Sequence, residues 1–482
     1  MPLIWIFAAV LSLGVLGYFL GRARAIASAS GDIRILHSLP SYYGTNAFLA
    51  ATVPALLVMV LWLMIQPGVI SGRVAMMLET GAENADLVQA DLRRLAQGID
   101  RAVATGEISA TAARALDAET TDIRALLAES GAALGTGVTP ETLAAAQRIR
   151  ALTRSAGLAM AGVVVALSGL GLALALKATT RDFRARNAVE RAVLALLILA
   201  SSIAILTTVG IVLSMVTETL DFFALYPWRD FFFGLEWIPS FEGGSDLGLL
   251  PLLWGTLYIT FIALLVAVPV GLFAAIYMAE YAGRRFRSVA KPAIEVLAGI
   301  PTIVYGLFAL VTVGPMLRDY FAAPLGLGTS AASVMTAGLV MGIMLIPFVS
   351  SLSDDIINAV PQSLRDGSYG LGATQSETVK QVILPAALPG IVGAILLAAS
   401  RAIGETMIVV MGAGAAARLS LNPFEAMTTV TVKIVGQLTG DTDFSSPEAL
   451  VAFALGLTLF AITLGLNILA LYIVRRYREQ YE

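Results

Sequence analysis

Long apolar stretches recur along this chain of 482 residues, and they constrain its fold more than any other feature. A run of about 20 apolar residues crosses the hydrocarbon core of a bilayer as a helix, because lipid offers no partner for an unpaired backbone group. The sequence therefore predicts an all-α polytopic membrane protein. Nine spans are expected, at residues 2–20, 47–65, 156–176, 192–216, 250–278, 292–316, 331–352, 388–413 and 450–474.

Composition supports a membrane protein and excludes several other classes. Hydrophobic residues make up 57% of the chain and charged residues 13%, whereas soluble proteins carry about 25% charged residues. A net charge of −3 gives no reason to expect a nucleic-acid partner. The chain has no cysteine and a single histidine, His37, so we expect no disulfide, no metal site and no cofactor.

Basic residues predict which loops face the cytoplasm. Lys and Arg are enriched in cytoplasmic loops close to membrane helices. They cluster at 177–191, 284–291 and 475–478, and the alternate loops carry few of them. Alternation from these clusters predicts an N-terminus outside, a C-terminus inside and a cytoplasmic loop at 353–387.

A module boundary is predicted near residue 180. Residues 1–180 contain three spans and, between the second and third, a segment at 68–154 that is rich in charged residues. Its apolar residues recur at helical spacing, which indicates amphipathic helices outside the membrane. This segment is interpreted as a small helical bundle, with a partner-binding or regulatory role as the alternative. Residues 181–482 contain the other six spans.

The largest polar insertion between spans of the second half runs from Asp366 to Pro385. It is predicted to begin with a turn of small residues and to continue as a short amphipathic helix at 379–383. Leu384, Pro385 and Pro389 are then expected to end one helix and start another. A Gly-rich bend joined to a short helix is either a docking element or an ordinary loop. The turn residues are Gly367, Ser368, Gly370 and Gly372.

Two ionisable residues, Arg401 and Glu405, lie inside the predicted span 388–413. Their spacing of four residues predicts that they share one face of a helix. An arginine at bilayer depth costs about 2.5–3.5 kcal/mol on insertion scales, so it is expected to face the protein interior or a water-filled cavity. The planar guanidinium suits phosphate or carboxylate oxygens. A structural ion pair and a site on a permeation path are both consistent with the pattern.

Pro301 lies inside the predicted span 292–316, between Gly299 and Gly306. Because proline lacks an N–H group, a kinked or broken helix is expected there. Such breaks line cavities or pack against other helices.

No stretch of the chain matches the phosphate-binding pattern Gly-x-x-x-x-Gly-Lys-Ser/Thr. The single histidine also leaves no set of nucleophile, histidine and acid. We therefore predict that the chain is not an enzyme, and that a separate subunit hydrolyses ATP if transport is ATP-driven.

Four short stretches, in this order, resemble the PstC-type permeases of phosphate ABC importers. They are FGLEWIP at 233–239, AGIPTIVYG at 298–306, SYGLGAT at 368–374 and RAIGET at 401–406. The polar insertion also resembles the coupling loop of ABC importer permeases, whose pattern is Glu-Ala-Ala, three residues, Gly, nine residues, Ile, one residue, Leu-Pro. The matching positions here are Asp366, Gly367, Ser368, Gly372, Val382, Leu384 and Pro385. Asp for Glu and Gly for Ala depart from the pattern.

The resemblance covers residues 186 to 482, and it implies a six-span type I ABC importer permease core. It implies inorganic phosphate as substrate and a multi-pass location in the bacterial inner membrane, in contact with membrane lipid. The implied partners are a PstA-type permease, a PstB-type ATPase dimer that receives the coupling loop in a groove, and a periplasmic PstS-type phosphate-binding protein. Arg401 and Glu405 are implicated in phosphate passage.

Two alternatives stay open at this point. One is a permease for another oxyanion or small solute. The other is a membrane sensor or scaffold, with the segment at 68–154 as its sensing domain.

Overall fold

The computed structural model describes residues 3–75, 85–106, 108, 109, 111–114, 116, 139–240, 244–440 and 446–478. Within these ranges, nine helices are long and apolar enough to cross a membrane, and strand structure is limited to one two-residue hairpin. The predicted all-α polytopic fold is thus confirmed. Two compact units divide the chain, Met1–Ala204 and Ile205–Glu482. The predicted boundary near 180 falls in the short connection before the helix at Ala185–Leu225.

The first unit contains three membrane-length helices and part of a fourth. Its helices are α1 (Leu3–Ser28), α2 (Pro40–Ala75), α3 (Ala85–Thr105), α4 (Pro140–Ala178) and the first half of α5 (Ala185–Leu225), with short 3₁₀ turns at Ile33–Ile35 and Ala112–Arg114. Small side chains let α1, α2 and α4 approach closely, as membrane helices require. Their shared core includes Val10, Ala55 and Val164.

In the segment at 68–154, apolar residues that recur at helical spacing form the buried face of α3. Leu95 and Ile99 of α3 are buried against Leu143 and Ala146 of α4. Thr139 caps α4, because its hydroxyl accepts the N–H of Thr142 at 3.2 Å. Of the segment at 68–154, residues 76–84, 107, 110, 115 and 117–138 lie outside the described ranges.

The second unit is built on two helices, Leu250–Ile276 and Val334–Ala359, that pack along their length. It contains the rest of α5, α6 (Trp228–Phe233), β1 (Trp237–Ile238), β2 (Asp246–Leu247), α7 (Leu250–Ile276), α8 (Arg284–Ala298), α9 (Thr302–Phe308), α10 (Gly314–Leu317), α11 (Val334–Ala359), α12 (Gln362–Gly370), α13 (Gln375–Thr378), α14 (Leu384–Ile403), α15 (Met407–Gly412), α16 (Val430–Gly440) and α17 (Pro447–Arg478). The strands pair antiparallel, Trp237 with Leu247. Wide π turns follow α7, α9, α10 and α13, at Tyr277–Tyr281, Ala309–Val313, Arg318–Ala322 and Val379–Ile383.

The hydrophobic core of this unit lies mainly between α7 and α11. Ile259 and Ala263 of α7 are buried with Val340 and Leu345 of α11 in one cluster. Residues of α9, α14 and α15 join the same cluster. The shorter helices α9 and α15 and the end of α14 therefore pack against α7 and α11.

Two predicted spans are wrong in their bounds. The span predicted at 292–316 is α8 followed, after a break at 299–301, by a membrane-length helical stretch at Thr302–Ala322. The span predicted at 388–413 is α14, which ends at Ile403, and the separate α15. In both places a glycine caps the end of the helix inside an apolar run: Gly299, two residues before Pro301, and Gly404, next to Glu405.

Candidate functional site

Arg401 lies in the last turn of α14, and its side chain is exposed in this chain. Its guanidinium carbon is 5.7 Å from the centre of the Phe348 ring on α11. A cation over an aromatic face is attracted by the ring, which orients the guanidinium plane. In the part of the chain that the structure describes, no carboxylate forms an ion pair with Arg401. A cation held by a ring alone keeps its hydrogen-bond donors free for an anion.

Glu405 does not share a helix face with Arg401, which corrects the expectation from their spacing. The helix ends at Ile403, so Glu405 lies in the break before α15. Its Oε1 accepts the N–H groups of Met407 at 3.1 Å and Ile408 at 3.5 Å. The carboxylate therefore caps α15, where the free N–H groups and the helix dipole favour negative charge. The Thr431 hydroxyl donates to the Glu405 carbonyl at 3.0 Å.

A second interrupted helix packs beside this break. Pro301 precedes the first residue of α9, and the Tyr305 hydroxyl donates to the Leu297 carbonyl at 2.9 Å, across the interruption. A β-carbon on Gly306 would lie 2.8 Å from the Met407 carbonyl oxygen, so only glycine allows α9 to approach α15 this closely. Discontinuous helices that meet in this way are the usual surroundings of a substrate path in transporters.

The polar insertion forms a helical hairpin that projects from the second unit. Asp366, Gly367 and Ser368 lie within α12, so the turn predicted to begin at 367 begins instead at Leu371. Gly372 has a φ of +86°, the left-handed conformation that reverses the chain. Leu371 at the tip is 92% exposed. The tip of the hairpin is therefore accessible to a partner.

A buried ion pair anchors this hairpin to the π turn that follows α7, and a hydrogen bond anchors it to α11. The Arg365 guanidinium binds the Glu280 carboxylate, with only 11% and 6% of the two side chains exposed. The same guanidinium donates to the Ile357 carbonyl at 2.6 Å. On the other arm, the Gln375 amide donates to the Glu280 carbonyl at 2.5 Å. Glu280 thus holds both arms of the hairpin, although no sequence pattern had marked it.

The second arm continues without interruption into α14. Gln375–Ile403 is one membrane-length helical stretch, so Leu384, Pro385 and Pro389 do not separate two helices as predicted. The wider turn at Val379–Ile383 accommodates the missing N–H group of Pro385. The second arm of the hairpin and the helix that carries Arg401 are therefore one continuous helical stretch. Residues 353–359, also predicted as loop, belong to α11.

A second charged cluster lies nearby at the end of α11. Asp354 is fully buried and accepts hydrogen bonds from Arg287 at 2.9 and 3.0 Å and from Lys291 at 2.8 Å. The Asn358 amide adds a bond at 2.9 Å. The carboxylate beside Lys291 raises the pKa of that ammonium above its usual value. The sequence patterns did not predict this cluster. The adjacent Asp354 and Asp355 at the end of an apolar run are the sequence feature that could have indicated it. Among the described residues, no group of His, Cys, Asp and Glu is placed to hold a metal ion.

Comparison with known proteins finds one matching family model in each half of the chain. Residues 7–173 match the model of a family described as "Phosphate ATP-binding cassette transporter", and residues 267–479 match "Binding-protein-dependent transport system inner membrane component". The first match falls on residues that the sequence patterns had assigned to no family.

Curated relatives align with about half of the chain. The chain is 33% identical over 247 residues to a probable ABC transporter permease protein, YqgH, of Bacillus subtilis, which covers 51% of this chain and 78% of that protein. It is 33% identical over 260 residues to the phosphate transport system permease protein PstC of Mesorhizobium japonicum, with 50% and 76% covered. PstC 1 of Mycobacterium tuberculosis is 35% identical over 249 residues, with 48% and 74% covered.

Solved structures with weaker similarity are also ABC transporters. A chain of the inward-facing MetNI methionine transporter aligns at 18% identity and a TM-score of 0.36, covering 46% of this chain and 93% of that one. A bacterial alginate transporter aligns at 15% identity and a TM-score of 0.43, covering 60% and 96%.

Proposed function

This chain belongs to the PstC-type permease family of ABC transporters, and on that basis we propose that it is the permease subunit of an ATP-driven importer of inorganic phosphate. Its path would be completed by a PstA-type permease, its motor would be a separate PstB-type ATPase dimer, and a PstS-type binding protein would deliver phosphate. The observation that carries this assignment is Arg401, exposed beside two interrupted helices with its donors free for an anion.

Arg401 is proposed to bind the passing phosphate. A guanidinium offers a planar fork of N–H donors that matches two phosphate oxygens. The Phe348 ring supports the guanidinium from one side without competing for those donors. The charge on Arg401 offsets that of the anion, which would otherwise be costly to move through a low-dielectric path.

Glu405 is proposed to favour an anion that still carries a proton. One carboxylate oxygen caps α15, which leaves the other able to accept a hydrogen bond. Hydrogen phosphate can donate that bond, whereas sulfate carries no proton at neutral pH. The same carboxylate would repel a fully deprotonated oxyanion, so it contributes selectivity by charge as well as by hydrogen bonding.

The hairpin at 366–385 is proposed to transmit the movement of the ATPase. Arg365 donates a hydrogen bond to the carbonyl of Ile357 on α11. The same helix carries Phe348, whose ring contacts Arg401. These two positions are nine residues apart, about 13.5 Å along a helix. A displacement of the hairpin would therefore move the support of Arg401 as part of a rigid body.

Transport by the reconstituted complex tests this assignment. The chain would be co-expressed with its ATPase and second permease, placed in vesicles with the binding protein, and supplied with ATP and labelled phosphate. ATP-dependent phosphate uptake that excess sulfate does not inhibit is the expected result. Uptake of another oxyanion in preference to phosphate would identify a different substrate, and absence of an ATPase from the purified complex would favour the sensor or scaffold.

Replacing Glu405 by glutamine is expected to reduce selectivity more than rate. The amide keeps the size of the side chain and an oxygen that can cap α15, but it removes the negative charge. We expect sulfate to become a competitor, with a discrimination against it that falls roughly tenfold, the value of about one hydrogen bond to a charged group. The measurement is inhibition of phosphate uptake by sulfate in both proteins. Unchanged inhibition would show that Glu405 has only the capping role.

Replacing Gly372 by alanine is expected to weaken binding of the ATPase. No atom lies within 4 Å of the position of an added β-carbon, so the change adds only backbone strain at φ +86°. That strain is about 1–2 kcal/mol. Gly370→Ala is the matched control, since Gly370 lies in α12 and alanine favours a helix. The amount of ATPase that co-purifies should fall for Gly372→Ala and stay unchanged for Gly370→Ala. Equal amounts for both would contradict a contact made by this turn.

A further inference from the structure

The helix α8 is confined to the membrane surface by its two neighbours in the chain. Only Ala282 and Gly283 separate it from the membrane-length stretch Leu250–Tyr281, and only residues 299–301 separate it from Thr302–Ala322. A connection of two or three residues spans about 10 Å at most. The helix therefore cannot leave the level at which these two stretches end, which the basic residues predict to be the cytoplasmic side.

Contacts with Asp354 fix the rotation of α8 about its own axis. Arg287 and Lys291 are four residues apart, so they share one face, and both bind the buried Asp354 carboxylate on α11. Because that carboxylate is fully buried, loss of either contact would leave the negative charge of Asp354 poorly compensated. The face of α8 that carries these two cations is therefore held against the bundle.

An apolar stripe lies on the opposite side of the helix. Phe286, Val289 and Val296 follow helical spacing, and they are 54%, 71% and 68% exposed. No residue of α8 is buried within this chain. Arg285 lies four residues before Val289, on the same side, and is also exposed. In the described part of the chain, no acidic group forms an ion pair with Arg284 or Arg285.

We propose that α8 is an interfacial helix that binds anionic phospholipids of the inner leaflet. Its stripe enters the boundary between headgroups and acyl chains, and Arg285 binds the phosphate groups. An amphipathic helix with an apolar face, a flanking arginine and an enforced position at the membrane surface has the features of such a lipid contact. Because Asp354 links α8 to the end of α11, next to the anchored hairpin, the lipid would also steady the region that receives the ATPase.

The absence of cysteine allows a local test of this contact. A bimane fluorophore would be attached to Val289→Cys on the stripe and, as the matched control, to Ser288→Cys, an exposed position about 100° around the helix from Val289, between the stripe and the face that binds Asp354. The full chain, co-expressed with its partner subunits, would be placed in phosphatidylcholine vesicles with brominated phosphatidylglycerol or brominated phosphatidylcholine. Bimane at 289 should be quenched by brominated acyl chains, and bimane at 288 by iodide in water.

Charge and apolar contact can then be separated. Quenching at 289 should be stronger with brominated phosphatidylglycerol than with brominated phosphatidylcholine. This preference should fall roughly fivefold in Arg285→Gln. Iodide quenching at 289 without lipid quenching would overturn the inference. So would protection at 289 that appears only when the second permease is present, since the stripe would then be a subunit interface. Neither readout depends on which solute is carried.

Discussion

Replacement of Arg401 by glutamine is expected to reduce phosphate uptake about 10- to 100-fold, the largest effect anticipated for a single residue on the path. The substitution removes the positive charge and the fork of donors, and hydrogen bonds to a charged group contribute about 1.5–3 kcal/mol. Arg401→Lys keeps the charge but loses the fork of donors and the guanidinium contact with the Phe348 ring, so an intermediate loss is expected. The measurement is the initial rate of labelled phosphate uptake at equal amounts of protein in the membrane.

Arg418→Gln is the control for this experiment. Arg418 is an exposed arginine in the segment between α15 and α16, so its replacement changes the net charge of the chain equally. Uptake close to that of the unmodified protein is expected. If Arg401→Gln transported phosphate as fast as Arg418→Gln, Arg401 would not lie on the path. A parallel loss in both variants would point instead to the net charge of the chain.

Replacement of Glu280 by glutamine is expected to uncouple ATP hydrolysis from transport. Removing one partner of a buried ion pair costs about 3–5 kcal/mol, because the other charge stays buried without compensation. Arg365 would then lose its charged partner on the π turn after α7, while the exposed tip at Leu371 keeps its surface for the ATPase. We expect the ATPase to co-purify normally and to hydrolyse ATP, with several-fold less phosphate moved per ATP.

The reversed pair distinguishes this mechanism from general damage. In Glu280→Arg combined with Arg365→Glu, the ion pair can form again, although the bond from Arg365 to the Ile357 carbonyl is lost. Partial recovery of phosphate moved per ATP is therefore expected relative to either single change. Glu295→Gln, an exposed carboxylate on α8, is the control. Normal coupling in Glu280→Gln would show that the pair is not part of the transmission, and loss of the ATPase would show a purely structural anchor.

The interruptions beside Arg401 illustrate what could be predicted. Pro301 predicted the break in the third span of the second unit, because proline has no N–H group to donate within a helix. Gly404 gave a weaker signal, since a glycine in an apolar run is more often a packing residue. The capping of α15 by Glu405 depends on a side-chain rotamer and on the end of α14, so the expectation of a shared helix face was wrong.

For the hairpin, too, the sequence predicted one part and not the other. The polar insertion and its resemblance to a coupling-loop pattern located its residues, including Gly372, whose left-handed conformation suits a glycine. Its anchor was not visible, because Arg365 and Glu280 are 85 residues apart in the chain. The helix also continues through Pro385, since a π turn absorbs the missing bond. A local rule for proline could not anticipate that turn.

The sequence by itself determined the number of spans, the helical class and the resemblance to one family of permeases. It could do so because a segment in lipid must satisfy its own backbone hydrogen bonds, which makes a span a property of consecutive residues. Only the tertiary structure decided which charges meet. Asp354 with Arg287, and Arg365 with Glu280, join helices that are distant in the chain. A buried charge is stable only beside its partner, and that proximity arises when the helices pack.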